Sequence, residues 1–306
     1  MRKYIGSVLV IAVIALLVVV VTKKTVPQRV RDDGRVRVAA SFYPLAEFAR
    51  QVGGEFVTVE TLTPAGVEPH DFEPTPNDIA RLYDADLLLV NGGIDAWVTD
   101  LVPSAVERGV TVLEMREVID GLLPAGDDDH DDFDPHFWLY PVHAQRQVAA
   151  MRDALIAHDG AHASAYRANA GAFLVQLIAL DRAYADGLAT CGRRIVVTSH
   201  AAFQYLADAY DFEVLAIAGL SPDVEPSAGT LAAIAREART HGVRHVFFET
   251  LVSHELAETL AREIGAATLV FNPLEGLTDA ERASGASYLS VMGENLTNLR
   301  TAMACQ

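Results

Sequence analysis

The sequence predicts an α/β protein of two lobes, each a mainly parallel sheet flanked by helices, joined by a long rigid helix. Three observations lead there. Short apolar runs alternate with helical periodicity through the first half of the chain, and the same alternation resumes after residue 190. Between them, residues 141–190 carry helical periodicity with no strand signal. Strands that alternate with helices pair in parallel, because each return to the same edge needs a crossover about as long as a helix.

Taken in order, "RVRVAASFYP" reads as a strand and "LAEFARQVGG" as a helix that ends in glycines. "FVTVETLTP" is the second strand, and "TPNDIARLYDA" is a helix opened by Thr75 and Pro76. "DLLLVNG" has the continuous apolar run of a buried strand; "WVTDLVPSAVERG" reads as a helix and "VTVLEM" as a strand. The spacer is clearest in "AHASAYRANAGAFLVQLIALDRAYADGLA", a helix of about 28 residues and about 42 Å, long enough to cross between lobes and restrict their relative motion. The second half reads "RRIVVTS", "AFQYLADAY", "FEVLAIAG", "SAGTLAAIAREARTHG", "VRHVFFE", "SHELAETLAREIG" and "ATLVFNP", closing with "SYLSVMGENLTNLRTAM". The halves resemble one another in pattern and not residue by residue. The expected division is an apolar segment 1–24, a linker 25–34, a first lobe 35–140, a helical segment 141–190 and a second lobe 191–306.

With 306 residues and 51% hydrophobic content, the chain can fill two cores. A formal charge of −17 repels phosphate backbones and attracts cations, so nucleic acid is not an expected partner. The apolar run from Ile5 to Val21 spans about 25 Å as a helix and ends in Val-Val-Thr-Lys-Lys, without small residues for cleavage or a cysteine for lipidation. It is read as an uncleaved membrane anchor, with cleavage as the alternative. Basic residues flank both sides, so charge does not set the orientation. Cys191 and Cys305 are the two cysteines, which excludes a cysteine zinc knuckle. In an exported protein they join; in a cytosolic one they stay as free thiols.

Four residues stand just beyond predicted strands, where open α/β sheets gather ligands. His70 lies in "VEPHDFEP" after the second strand, and His136 lies in "DPHFWLYP" between Pro135 and Pro141. His200 ends "RIVVTSH" and Glu275 lies in "FNPLEGLT". Two come from each half, as a ligand held between lobes requires. Neighbouring prolines lower the entropy lost on coordination, and Phe137 and Trp138 can exclude water. His143, His158, His162, His241, His245 and His254 lack such surroundings and read as ordinary hydrogen-bonded histidines.

In this order and at these separations, "PAGVEPHDFEPTPNDI", "DPHFWL", "VTSHAAFQYLA" and "NPLEGLT" resemble the metal-binding receptors that feed ABC importers, particularly their zinc branch. The resemblance covers residues 35 to 306. It implies two α/β lobes joined by a rigid helix, with the metal between the lobes and with His70, His136, His200 and Glu275 as its ligands. Three imidazoles and a carboxylate suit tetrahedral Zn2+. Manganese-type relatives place a carboxylate where His200 stands, which makes Mn2+ binding the alternative. Tyr140 departs from the aspartate of many members and is expected to alter the surroundings of His136. The acidic stretch "DDDHDDFD", residues 127–134, looks like a shortened form of the family's His-rich loop, either a weak cation collector or a solvated charge run.

The resemblance thus implies a monomeric, extracytoplasmic receptor, held at the membrane by its N-terminal segment, that delivers zinc to an ABC importer permease and is not an enzyme. A zinc hydrolase is the main rival, with Glu68, Glu73 or Asp134 as candidate bases. It needs an open coordination position that four protein ligands would close, and no HExxH-like motif accompanies the histidines. A surface adhesin is the third reading.

Overall fold

In a computed structural model of the chain, the structure describes residues 34–125 and 133–306. The expected anchor, most of the linker and residues 126–132, which include most of the acidic stretch, lie outside the described residues. Among the described residues, no helix is long and apolar enough to cross a membrane.

The first half runs β1 (Val36–Ala40), α1 (Tyr43–Gly53), β2 (Val57–Thr61), α2 (Pro76–Asp84), β3 (Leu87–Val90), α3 (Val102–Glu107) and β4 (Thr111–Glu114). Two helices follow, α4 (Pro141–His158) and α5 (Ala163–Leu188). The second half contains β5 (Ile195–Thr198), α6 (Gln204–Tyr210), β6 (Glu213–Ala216), α7 (Ala228–Thr240), β7 (His245–Phe248), α8 (Glu255–Ile264) and β8 (Ala267–Val270). It closes with α9 (Asp279–Ala283) and α10 (Tyr288–Met303).

All strands pair in parallel, in the orders β2-β1-β3-β4 and β6-β5-β7-β8. The same order in both halves is the structural content of their shared pattern. In each sheet the order reverses beside the first strand, so a crevice opens beyond the carboxyl ends of β1 and β3, and again beyond β5 and β7.

The local signals account for the helix starts. Thr75 caps α2: its side chain accepts from the Asp78 amide, and the Asp78 carboxylate accepts from the Thr75 amide, a closed capping box. Ser287 and Ser290 do the same for α10.

The spacer is helical as expected: α4 is followed by a 3-10 turn at Gly160–His162 and then by α5, the expected long helix, with 26 residues, about 39 Å. There Asp159 accepts hydrogen bonds from the Tyr166 hydroxyl and the His162 ring, which ends one helix and starts the next. Helix α5 packs against α1 from the first half and α10 from the second.

One apolar core runs across both halves, through Phe42, Phe48, Trp138, Phe173, Tyr184 and Tyr288, beside a smaller buried cluster within each half. Phe48 meets Phe173 and Tyr288 at ring-centroid distances of 5.8 and 4.9 Å. Because the lobes share buried surface, opening them wide would expose part of this core to water. Cys191 and Cys305 form a disulfide, with Cα atoms 3.8 Å apart, that ties the chain just beyond α10 to the segment leading into β5.

Candidate metal centre

Strand register builds the second-half side of the site. Val197 of β5 pairs with Val246 of β7, so three residues further on His200 stands beside Glu249, each just past the end of its strand. The His200 Nδ1 lies 2.7 Å from Glu249 Oε1, and both residues are buried. An Nδ1–H donated to that carboxylate leaves the Nε2 lone pair facing inward. The Thr198 hydroxyl also donates to the His200 carbonyl at 2.7 Å and fixes the backbone turn.

His136 is held in a parallel way from the first half. Its Nδ1 lies 2.8 Å from Asp134 Oδ1, and its amide donates to the same oxygen at 2.9 Å. Pro135 sets the extended step between them. Asn91, just beyond β3, donates to the Pro135 carbonyl at 2.9 Å, and Asp95 in turn accepts the Asn91 and Gly92 amides. Gly93 lies so close that a Cβ there would come within 2.7 Å of the Pro135 ring. Beyond His136, the Trp138 indole donates to the Pro273 carbonyl and the Tyr288 hydroxyl donates to the Trp138 carbonyl. These bonds lock the His136 segment to the segment carrying Glu275.

His70 and Glu275 arrive on loops that meet across the halves. The Gly66 amide donates to the Leu277 carbonyl at 3.1 Å. Leu274 takes a left-handed φ of 59°, secured by its amide donating to Asn272 Oδ1, and this turn carries the chain into Glu275. The His70 amide donates to Glu68 Oε2 at 2.7 Å. Unlike His136 and His200, His70 has no carboxylate on its Nδ1 among the described residues, and it is the one partly exposed member of the four.

Four side-chain atoms converge, and all lie within 4.8 Å of one another. His70 Nε2 and His200 Nε2 stand 3.4 and 3.3 Å from His136 Nε2. Glu275 Oε1 is 3.1 Å from His200 Nε2, 3.3 Å from His136 Nε2 and 3.7 Å from His70 Nε2. A tetrahedral ion with bonds of about 2.0–2.1 Å needs ligand atoms about 3.3–3.4 Å apart, since a tetrahedron's edge is about 1.63 times its centre-to-corner distance. Five of the six edges, at 3.1–3.7 Å, are close to this value, and the sixth, His70 to His200, lies within 4.8 Å.

Its electrostatics suit a cation. Burial opposes ionisation of Glu275, yet the three imidazoles hold its carboxyl well below the usual range. For His200 burial also opposes charge, but Glu249 and Glu275 outweigh it and raise the imidazole well above its ordinary value. Asp134 and Glu275 raise His136 against the same burial. Burial lowers His70. Beside them, burial and the neighbouring Glu275 push the Glu68 carboxyl up to about 9. An incoming divalent ion replaces protons that these groups otherwise share.

The structure brings together all four residues expected from sequence. The six histidines read as ordinary lie elsewhere: His162 stacks on Phe56, His241 pairs with Glu237, His254 packs on Phe248, and His143 sits between Tyr140 and Tyr205. Tyr140 does not reshape His136 as expected; its ring packs on His143 and Tyr210, and Asp134 takes the imidazole. Sequence reasoning weighed Asp134 and Glu68 as hydrolytic bases and left Glu249 out. A carboxylate one residue past β7, adjacent in the sheet to the strand that carries His200, was the signal for Glu249.

Comparisons with known proteins agree with this arrangement. The family described as "Zinc-uptake complex component A periplasmic" matches residues 38–302. The chain is 40% identical over 281 residues to the zinc-binding lipoprotein AdcA of Streptococcus pneumoniae, which covers 88% of this chain but 56% of that protein. It therefore spans little more than half the length of that relative. It is 36% identical to the high-affinity zinc uptake system protein ZnuA of Bacillus subtilis, with 88% of each covered. The crystal structure of the Zn(II)-bound ZnuA-like domain of the S. pneumoniae AdcA superposes with a TM-score of 0.78 at 39% identity, covering 88% of this chain and 99% of that domain. The chain belongs to the zinc-uptake complex component A family.

Proposed function

We propose that this protein is an extracytoplasmic zinc receptor that captures Zn2+ on His70, His136, His200 and Glu275 and passes it to the permease of an ABC importer. The observation that carries the reading is the convergence of one carboxylate and three imidazole nitrogens within 4.8 Å of one another, with two imidazoles oriented by buried carboxylates. Four protein ligands close a zinc coordination shell, which suits capture and leaves no position for a hydrolytic water. Asp134, a candidate base, is engaged by His136, and Glu73 is exposed at the surface. The three imidazoles favour zinc over manganese, which prefers oxygen ligands.

The reading places lobes 35–140 and 191–306 on either side of the ion, with 141–190 as the strut between them. It also places them outside the cytoplasm, tethered by the N-terminal segment. Because the lobes share one core, release depends on loop motion and small tilts, and the His70 loop is the arm with the fewest restraints. The test is metal analysis of the purified protein followed by titration of zinc against manganese. One equivalent of zinc, retained against excess manganese, is expected; absence of stoichiometric zinc overturns the reading.

A further inference from the structure

Beside the metal centre lies a cleft of about 610 Å³ that the zinc reading leaves without a role. It opens between the halves, with Arg50, Arg81, Tyr43 and Thr61 on one side and Arg282 and Glu275 on the other. The charge of its wall is opposite to that of the chain. Three guanidiniums line it in a protein of net charge −17, and its one acidic lining residue, Glu275, is committed to the histidines.

The guanidiniums are only partly engaged. Arg50 donates to the neutral Thr61 hydroxyl at 3.1 Å, and the Arg282 ion pair with Asp279 is a loose 3.9 Å. Arg81 pairs with Asp78, and its Nε is buried without a partner. Each guanidinium offers five N–H donors in a fixed fork that fits carboxylate or phosphate-like oxygens, and a cleft of this volume is the size of a small-molecule site. Asp78 and Asp279 offset part of the charge of Arg81 and Arg282, and Arg50 meets the neutral Thr61 hydroxyl, so the lining keeps positive charge for an incoming anion.

We propose that this cleft binds a small oxyanion of two negative charges, a dicarboxylate or a sulfate- or phosphate-like ion, next to the metal. Bound there, it bridges Arg50 and Arg81 of the first half to Arg282 of the second and latches the halves while the ion is held. Zinc loading adds positive charge beyond Glu275, so anion and metal strengthen each other's binding reciprocally. That coupling rests on the zinc-receptor reading; the anion site itself does not.

The test is calorimetric titration of succinate and of sulfate into the detergent-solubilised full chain, zinc-loaded and metal-free, after zinc content has been measured separately. At least one anion is expected to bind saturably at one per chain, tighter in the loaded state. Succinate against sulfate decides between carboxylate and tetrahedral oxyanion. Arg282→Gln, at an exposed position, and the Arg81→Gln/Arg282→Gln pair should weaken binding at least tenfold, while Arg239→Gln, on the far helix α7, binds as the parent does. Zinc affinity of the variants in anion-free buffer stays within about twofold of the parent. Absence of saturable binding by both anions, or binding indifferent to Arg282 and Arg81, overturns the site. Equal anion affinity with and without zinc overturns the coupling. Loss of zinc binding by the parent overturns the receptor reading alone, and the metal-free titration still decides the anion site.

Discussion

His200 Nδ1 and Glu249 Oε1 lie 2.7 Å apart in the protein interior, 49 residues apart in sequence, and the pairing of β5 with β7 puts them there. The carboxylate selects the tautomer that offers Nε2 to the centre and makes it more basic. Glu249→Gln keeps the shape and removes the charge. Zinc affinity is expected to fall roughly 10- to 100-fold, read by competition with a chelator, while the far-ultraviolet circular dichroism stays that of the parent. Parental affinity would show that His200 needs no carboxylate to orient it.

In the proposed ligand set, His200 is also the side chain expected to separate zinc from manganese. His200→Ala is expected to lower zinc affinity well over tenfold, about 1.4 kcal/mol for each factor of ten. His200→Glu keeps a ligand but makes it harder and more negative, so zinc weakens while the preference for manganese rises. His241→Ala, whose ring pairs with Glu237 at the surface, is the control and binds as the parent does. If His200→Ala held zinc as tightly as the parent, the four-ligand assignment would fall.

The disulfide acts on stability and leaves the site alone. Cys191 and Cys305 enclose 114 residues of sequence, and a loop of about 100 residues contributes up to about 4.7 kcal/mol in the loop-entropy model. Cys305→Ser is expected to lower the denaturation midpoint clearly without moving zinc affinity by more than a few-fold. A Cys305→Ser protein as stable as the parent would contradict this.

Acid sensitivity should trace to His143. Burial lowers its imidazole to about 4, with Arg146 adding to the fall and Asp120 opposing it, and its Nδ1 has no partner between the Tyr140 and Tyr205 rings. The unfolded chain binds this proton near 6.5 and the folded chain near 4, so the unfolded state takes up protons first as pH falls. Stability is therefore full above about 6.5 and declines between about 6.5 and about 4. Denaturant titrations of the metal-free protein at several pH values should show a shallower decline for His143→Gln. An identical slope in parent and variant would assign the acid sensitivity elsewhere.

Much of this protein is legible along the chain because the signals are local. Apolar runs such as "DLLLV" and "IVVT" are strands because a sheet covered on both faces requires continuous apolar residues. Thr75 and Asp78 mark a helix start through bonds that span three residues. His70 and His136 announce themselves by adjacent prolines, and the cysteine pair by its count.

What the chain alone does not disclose is set by contacts across space. The helical reading of residues 141–190 holds, but the packing of α4 on α5, and of α5 on both α1 and α10, is visible only in three dimensions. Glu249 meets His200 only once β5 and β7 lie side by side in register, and Arg50, Arg81 and Arg282 come to one cleft only in the folded chain. The two-lobed α/β class, the strand and helix order and the four metal-ligand candidates can be read along the chain, since these depend on periodicity and on residues a few positions apart. The convergence of those four atoms, the carboxylates that orient His136 and His200 and the sharing of a core by both lobes emerge only in the folded protein. Those features depend on strand register and side-chain packing between segments far apart in the chain, which no short-range pattern encodes.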